Sequence, residues 1–198
     1  MKKLLVLGVT LALVALMAAG LSATERKGMF GADLGGVLTL PMGDFGNAFK
    51  MGWRAGANVG YFVTDQIQVG ATGAYSQNSV NDTTLAPVNS KFNILQFGAF
   101  GKYMFKMQND RIAPYLKTGV GFYNSKVSVS GGSSASSTDM GINGGLGVSF
   151  AVSPTASVFV EGAFHNIFSD PSSTNFITGT AGVAFMFGGS TGGGGGTQ

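Results

Sequence analysis

From residue 29 onward the chain alternates. In residues 29–40, Phe30, Ala32, Leu34, Leu38 and Leu40 share one parity, and Gly31, Asp33, Gly35 and Thr39 share the other. Period 2 is the strand repeat, because successive side chains point to opposite faces. Seven further runs show the same pattern. In residues 52–63, Trp53, Ala55, Ala57, Val59, Tyr61 and Val63 oppose Arg54 and Asn58; in residues 67–76, Ile67, Val69 and Tyr75 oppose Gln68, Thr72 and Ser76. In residues 92–107, Leu95, Phe97, Tyr103 and Phe105 oppose Gln96, Phe100 and Lys102; from Ile112, Leu116, Val120 and Phe122 oppose Tyr115, Lys117 and Tyr123. The sixth run opposes Met140, Ile142, Leu146, Val148 and Phe150 to Asp139, Asn143 and Ser149, and the seventh opposes Val158, Val160, Phe164 and Phe168 to Phe159, Glu161 and His165. In residues 176–187, Ile177, Val183, Phe185 and Phe187 oppose Thr178, Thr180, Gly182 and Ala184.

The connections are residues 41–51, 64–66, 77–91, 108–111, 124–138, 153–155 and 169–175, which are long and short in strict alternation. Long loops at one end and short turns at the other describe an antiparallel up-and-down meander. The Ser- and Gly-rich segment 124–138 reads as a loop or a projecting hairpin. Residues 188–198 are Gly-rich and read as a flexible tail.

Ahead of the strands, Met1-Lys2-Lys3 leads into an apolar run over residues 4–21 that ends in small residues. That is the pattern of a cleavable signal peptide, residues 1–23, with cleavage after Gly20 or Ala23. Its length would also suit a retained transmembrane helix, but the small-residue ending and polar continuation favour cleavage. Residues 24–28 form a short polar lead. No later run approaches the ~20 apolar residues of a spanning helix, so any membrane-spanning structure in residues 29–187 must be built of strands.

Composition decides which face is outside. A soluble sandwich or ligand-binding barrel would hide the apolar set and expose the polar one. Here the polar faces hold mostly Gly, Ser, Thr and Asn, and charged residues are 11% of the chain, against about 25% in soluble domains. Aromatics sit towards the ends of the apolar faces: Trp53, Tyr61, Tyr103, Phe105, Phe185 and Phe187. Trp53 and Tyr61 are roughly 26 Å apart along a strand, which suits two interfacial girdles about a ~25 Å apolar band. The apolar face is therefore expected to meet lipid. The net charge of +3 falls to about +1 once Lys2 and Lys3 leave with the signal, and there is no basic stripe, so nucleic acid is not implied. With no cysteine there is no disulfide or thiolate metal site.

The end of the last run, Thr180-x-Gly182-x-x-Phe185-x-Phe187, resembles the insertion signal on the final strand of bacterial outer-membrane barrels. Together with strand count and loop asymmetry, it makes the chain similar to the small eight-stranded outer-membrane β-barrel family, such as the membrane domain of outer-membrane protein A and outer-membrane protein X. The resemblance implies an all-β fold, an eight-stranded antiparallel up-and-down transmembrane barrel in the outer membrane of a Gram-negative bacterium. It also implies lipid and the barrel-assembly machinery as partners, and a monomer. The chain departs from the family in continuing past Phe187.

In a barrel so small the lumen has little room beyond its own side chains. Asp33, Arg54, Lys102, Lys117, Glu161 and His165 point inward, as does Asp139. Lys102 and Lys117 fall side by side across the turn at 108–111, and two like charges there call for acids; Asp33 and Glu161 are the candidates. The expectation is an interior charge cluster that plugs the barrel. His165, the single histidine, would be the base of a lipid-modifying enzyme, but Glu161 lies about 13 Å away along the strand, and no second metal ligand is near. It reads instead as a luminal polar residue beside Asn143 or Thr178. No cofactor, metal or catalytic residue is implied. Expected is a non-enzymatic, plugged anchor whose loops serve envelope structure or surface interaction. A narrow conduit for small or apolar solutes is the alternative, and a lipid-modifying enzyme the remote one.

Overall fold

The computed structural model describes residues 25–43, 50–79, 91–109, 111–128, 134–169 and 173–188. The signal-peptide segment and the tail beyond residue 188 lie outside them. Eight strands follow one another: β1 Phe30–Met42, β2 Gly52–Phe62, β3 Ile67–Ser79, β4 Lys91–Met104, β5 Ile112–Ser128, β6 Ser134–Ala151, β7 Ala156–Ile167 and β8 Thr174–Phe187. Each pairs antiparallel with the next, and β1 pairs with β8 from Phe30↔Phe187 to Met42↔Asn175, so the sheet is a closed barrel without an edge in its wall.

The burial pattern is inverted relative to a water-soluble protein. Asp33, Arg54, Gln68, Gln96, Lys102, His165 and Thr178 are buried, whereas Phe97, Phe122, Leu146 and Val160 are more than half exposed. Only an apolar solvent makes that arrangement favourable, because the closed sheet pairs its backbone groups internally and turns a mostly apolar face outward. Outward aromatics mark the two ends, and Phe97 and Phe122 face each other midway along the wall. At the turn end Phe30 packs edge-on to Tyr61 (5.3 Å) and stacks with Phe187 (6.2 Å), so the closing seam carries a row of rings. Tyr103 meets Phe105 at 5.0 Å. Towards the loop end Trp53 lies 5.5 Å from Tyr75.

The ladders run past the apolar alternation at the loop end. β5 and β6 stay paired out to Ser128↔Ser134, so most of segment 124–138 is a hairpin of polar residues. Beyond the lipid band strand pairing no longer requires an apolar face, and alternation therefore underestimates strand length there. At the turn end β4 stops at Met104 where its pattern runs to Met107. The Phe105 N–H donates to the Pro114 carbonyl at 2.8 Å, but Pro114 has no N–H to return the bond, so the ladder ends. The turn at 64–66 is tied to the N-terminal lead: the Asp65 carboxylate accepts the backbone N–H groups of Arg26 and Lys27, each at 2.9 Å.

Glycines let the lumen fill. A methyl added at Gly147 would overlap the Tyr115 ring, and one at Gly182 would lie 2.8 Å from Phe159 Cζ. Bulky rings on one strand thus rest directly on the backbone of another.

Candidate functional site

The lumen holds two layers. The layer nearer the short turns is charged. Strand register sets Lys102 on β4 directly opposite Lys117 on β5. Each ammonium has its own carboxylate from across the barrel: Lys102 Nζ is 2.6 Å from Asp33 Oδ2 on β1, and Lys117 Nζ is 3.2 Å from Glu161 Oε1 on β7. The Tyr115 hydroxyl donates to Glu161 Oε2 at 3.1 Å. Aromatic faces complete the setting, with Lys102 Nζ 5.0 Å from the Tyr115 ring centre and Lys117 Nζ 5.5 Å from that of Phe100. Four strands therefore contribute to one cross-lumen layer, and each ammonium has an opposite charge and a ring.

Arg54 is buried on β2 and donates from Nη2 to Gln96 Oε1 on β4. Among the described residues no carboxylate forms an ion pair with it. Asp139 stands apart at the loop end, accepting from Ser137 at 2.9 Å and Ser169 at 3.4 Å.

The second layer, nearer the loops, is neutral. His165 stacks on Phe176 with ring centres 4.5 Å apart and planes 2° from parallel. Its Nδ1 lies 3.2 Å from the Tyr123 hydroxyl and its Nε2 3.2 Å from Thr178 Oγ1. Asn143 Nδ2 donates to the Tyr123 oxygen at 3.2 Å, and the Thr178 hydroxyl donates to the Ala163 carbonyl at 3.4 Å. The directions compose into one chain: Asn143 to Tyr123, Tyr123 O–H to Nδ1, Nε2–H to Thr178, Thr178 to the backbone. A neutral imidazole protonated at Nε2 satisfies all of it. Phe92, Ile94, Tyr123, Ile167 and Phe176 pack around this chain as an apolar cluster.

His165 thus sits beside both Asn143 and Thr178, and it makes no hydrogen bond with Glu161. Among the described residues no three metal-binding side chains converge. Sequence reasoning set Gln96 on the polar face of its run without a partner and did not single out Phe176. Parity from Thr178 turns Phe176 inward, and parity from Lys102 turns Gln96 inward, but only the three-dimensional register shows that they meet His165 and Arg54. Of the final-strand pattern, Thr180 and Gly182 face the lumen opposite Glu161 and Phe159, while Phe185 and Phe187 face outward. Trp53, Tyr61, Tyr103 and Phe105 all face outward.

Two luminal cavities flank the charged layer, each of about 50 Å³. The one nearer the turns is lined by Asp33, Lys102, Gln68 and Tyr115; the one nearer the loops by Arg54, Lys117, Glu161 and His165. The two ion pairs stand between them.

The family profile described as outer membrane protein beta-barrel domain matches residues 9–187. No curated protein matches the chain in sequence. Among solved structures, Neisserial surface protein A superposes with a TM-score of 0.63 at 21% identity, covering 81% of this chain and 98% of that one. The outer membrane protein OprG from Pseudomonas aeruginosa gives 0.63 at 14% identity, covering 86% and 100%. Ail, the attachment invasion locus protein of Yersinia pestis, solved in complex with the heparin analogue sucrose octasulfate, gives 0.53 at 16% identity, covering 81% and 99%. These likenesses are of fold. With the profile spanning nearly all of the chain and the apolar face turned outward, the chain belongs to the outer membrane protein beta-barrel domain family, as a closed eight-stranded barrel of the bacterial outer membrane.

Proposed function

We propose that the barrel is a plugged, non-enzymatic anchor that carries the loops 41–51, 77–91, 124–138 and 169–175 at the cell surface, for envelope structure or surface interaction. The observation that carries this reading is the pair of luminal layers, in which the crossed ion pairs stand between two cavities of about 50 Å³ each. Each has space for a few water-sized occupants, so a conduit along the axis is disfavoured. His165 is enclosed and fully hydrogen-bonded inside the barrel, away from the lipid face, which argues against a lipid-modifying role. The barrel acts as a monomer, and its Thr180, Gly182, Phe185 and Phe187 pattern serves recognition by the assembly machinery. Domain limits follow: signal peptide 1–23, lead 24–28, barrel 29–187 and tail 188–198.

The chain has no cysteine, so a single introduced thiol reports its own position. Ser136→Cys, in the projecting β5–β6 hairpin, reacts with a membrane-impermeant maleimide in intact cells. Ser153→Cys, in the β6–β7 turn, reacts only after lysis. Labelling of the turn and not of the hairpin in intact cells would refute surface display of the loops. Cutting 77–91 and 124–138 back to tight turns leaves a barrel that still assembles and loses its surface role.

A further inference from the structure

The luminal charges near mid-barrel do not balance. Lys102 and Lys117 are matched by Asp33 and Glu161. Glu161 is fully engaged, with Oε1 facing Lys117 and Oε2 receiving both Lys117 and the Tyr115 hydroxyl. Arg54 is left over. It is 8% exposed, its Nη2 is given to a neutral amide oxygen, and its Nη1 has no hydrogen-bond partner among the described residues. A guanidinium keeps its proton at neutral pH, so the charge cannot be shed.

Arg54 is also a wall of the cavity nearer the loops. The other polar walls of that 50 Å³ space include Asn58, Thr72, Asn143 and Thr180, all able to donate a hydrogen bond, and the ion pair of Lys117 with the Glu161 carboxylate. Water there would satisfy the Nη1 hydrogen bond but would leave a full positive charge inside a wall surrounded by hydrocarbon, where Coulomb interactions are strong and an unmatched ion is costly. An anion satisfies both. The space admits a few water-sized occupants, which suits a monovalent inorganic ion and excludes organic anions of any length. We propose that this cavity is a halide site, occupied by chloride in ordinary surroundings, with Arg54 as its charge partner and the neutral donors completing its shell. The inference goes beyond the anchor reading and does not depend on whether the lumen conducts.

The test folds the full-length mature chain from urea into detergent micelles in sodium bromide or, at equal ionic strength, sodium gluconate, whose anion is too large to enter. Crystals grown from bromide are expected to show an anomalous scattering peak beside Arg54. Thermal midpoints are expected to rise by several degrees with graded bromide over gluconate. Arg54→Met loses the bromide dependence, and Arg54→Lys retains most of it. Water density and no anomalous peak beside Arg54 in the wild type would overturn the site, and so would an equal bromide response from Arg54→Met. If Arg54→Met fails to fold, the wild-type peak and titration decide alone.

Discussion

The two luminal layers fill the same barrel by opposite means. The layer near the short turns uses full charges, Asp33 with Lys102 and Glu161 with Lys117, laid against Tyr115 and Phe100. The layer near the loops uses a neutral relay through Tyr123, His165 and Thr178, wrapped in Phe92, Ile94, Ile167 and Phe176. The charged layer is all-or-none, because removing one partner strands the other as an unpaired buried ion. The neutral layer is more tolerant: without His165, Tyr123 still accepts from Asn143 and Thr178 still donates to the Ala163 carbonyl, and only the Tyr123 O–H loses its acceptor. Equal space-filling therefore conceals unequal sensitivity to substitution.

Comparable substitutions in the two layers sharpen this contrast. Asp33→Asn keeps the shape and removes the charge facing Lys102, which is expected to cost about 3–5 kcal/mol of unfolding free energy, read by urea unfolding in lipid vesicles. The double change Asp33→Leu with Lys102→Met removes both charges and is expected to recover most of that loss. If the double variant is as unstable as Asp33→Asn, packing and not charge governs the layer.

Gly147→Val forces Cβ into the Tyr115 ring, which is held by its bond to Glu161. A loss of about 1–3 kcal/mol is expected from overpacking, and pairing it with Tyr115→Ala should relieve the ring part of the clash, leaving the close approach to the Val160 carbonyl. In the neutral layer, His165→Leu keeps the volume and the contact with Phe176. Its cost is expected to be about 1–3 kcal/mol, because the buried Tyr123 O–H loses its neutral acceptor while no charge is left unpaired. A loss as large as that of Asp33→Asn would erase the distinction between the layers.

The smallest effect belongs outside the membrane. The N–H groups of Arg26 and Lys27 bond to Asp65 and hold its carboxyl below the ordinary carboxylate range. A depressed folded-state pKa stabilises the latch above the unfolded value of ~3.9, and that contribution is lost as pH falls through the folded pKa. Protection of the Arg26 and Lys27 amides, taken relative to the intrinsic exchange rate at each pH, is expected to fall below that range in the wild type. In Asp65→Asn it should already be lower at neutral pH and show less of the acid step. An acid step unchanged in Asp65→Asn would assign it elsewhere.

Much of this arrangement was legible in the sequence, for one physical reason. A strand wall between lipid and lumen forces a two-residue period, so parity alone turns Asp33, Lys102, Lys117, Glu161 and His165 inward. The turn at 108–111 then sets Lys102 beside Lys117, and the need for acids follows. Three things were not legible. Strand ends outside the lipid band carry no alternation, so the β5–β6 hairpin was longer than its apolar pattern. Which acid meets which lysine depends on the stagger of strands far apart in sequence: β1 reaches β4, and β7 reaches β5, through the lumen and not through the ladder. The Arg54–Gln96 and His165–Phe176 contacts have the same origin, since parity supplies the face and the barrel's shear supplies the partner.

The central claim is that these layers close the lumen, and conductance of the purified barrel in planar lipid bilayers tests it most directly. No large, stable openings are expected from the wild type. Large, stable openings at wild-type sequence would contradict it and restore the conduit reading.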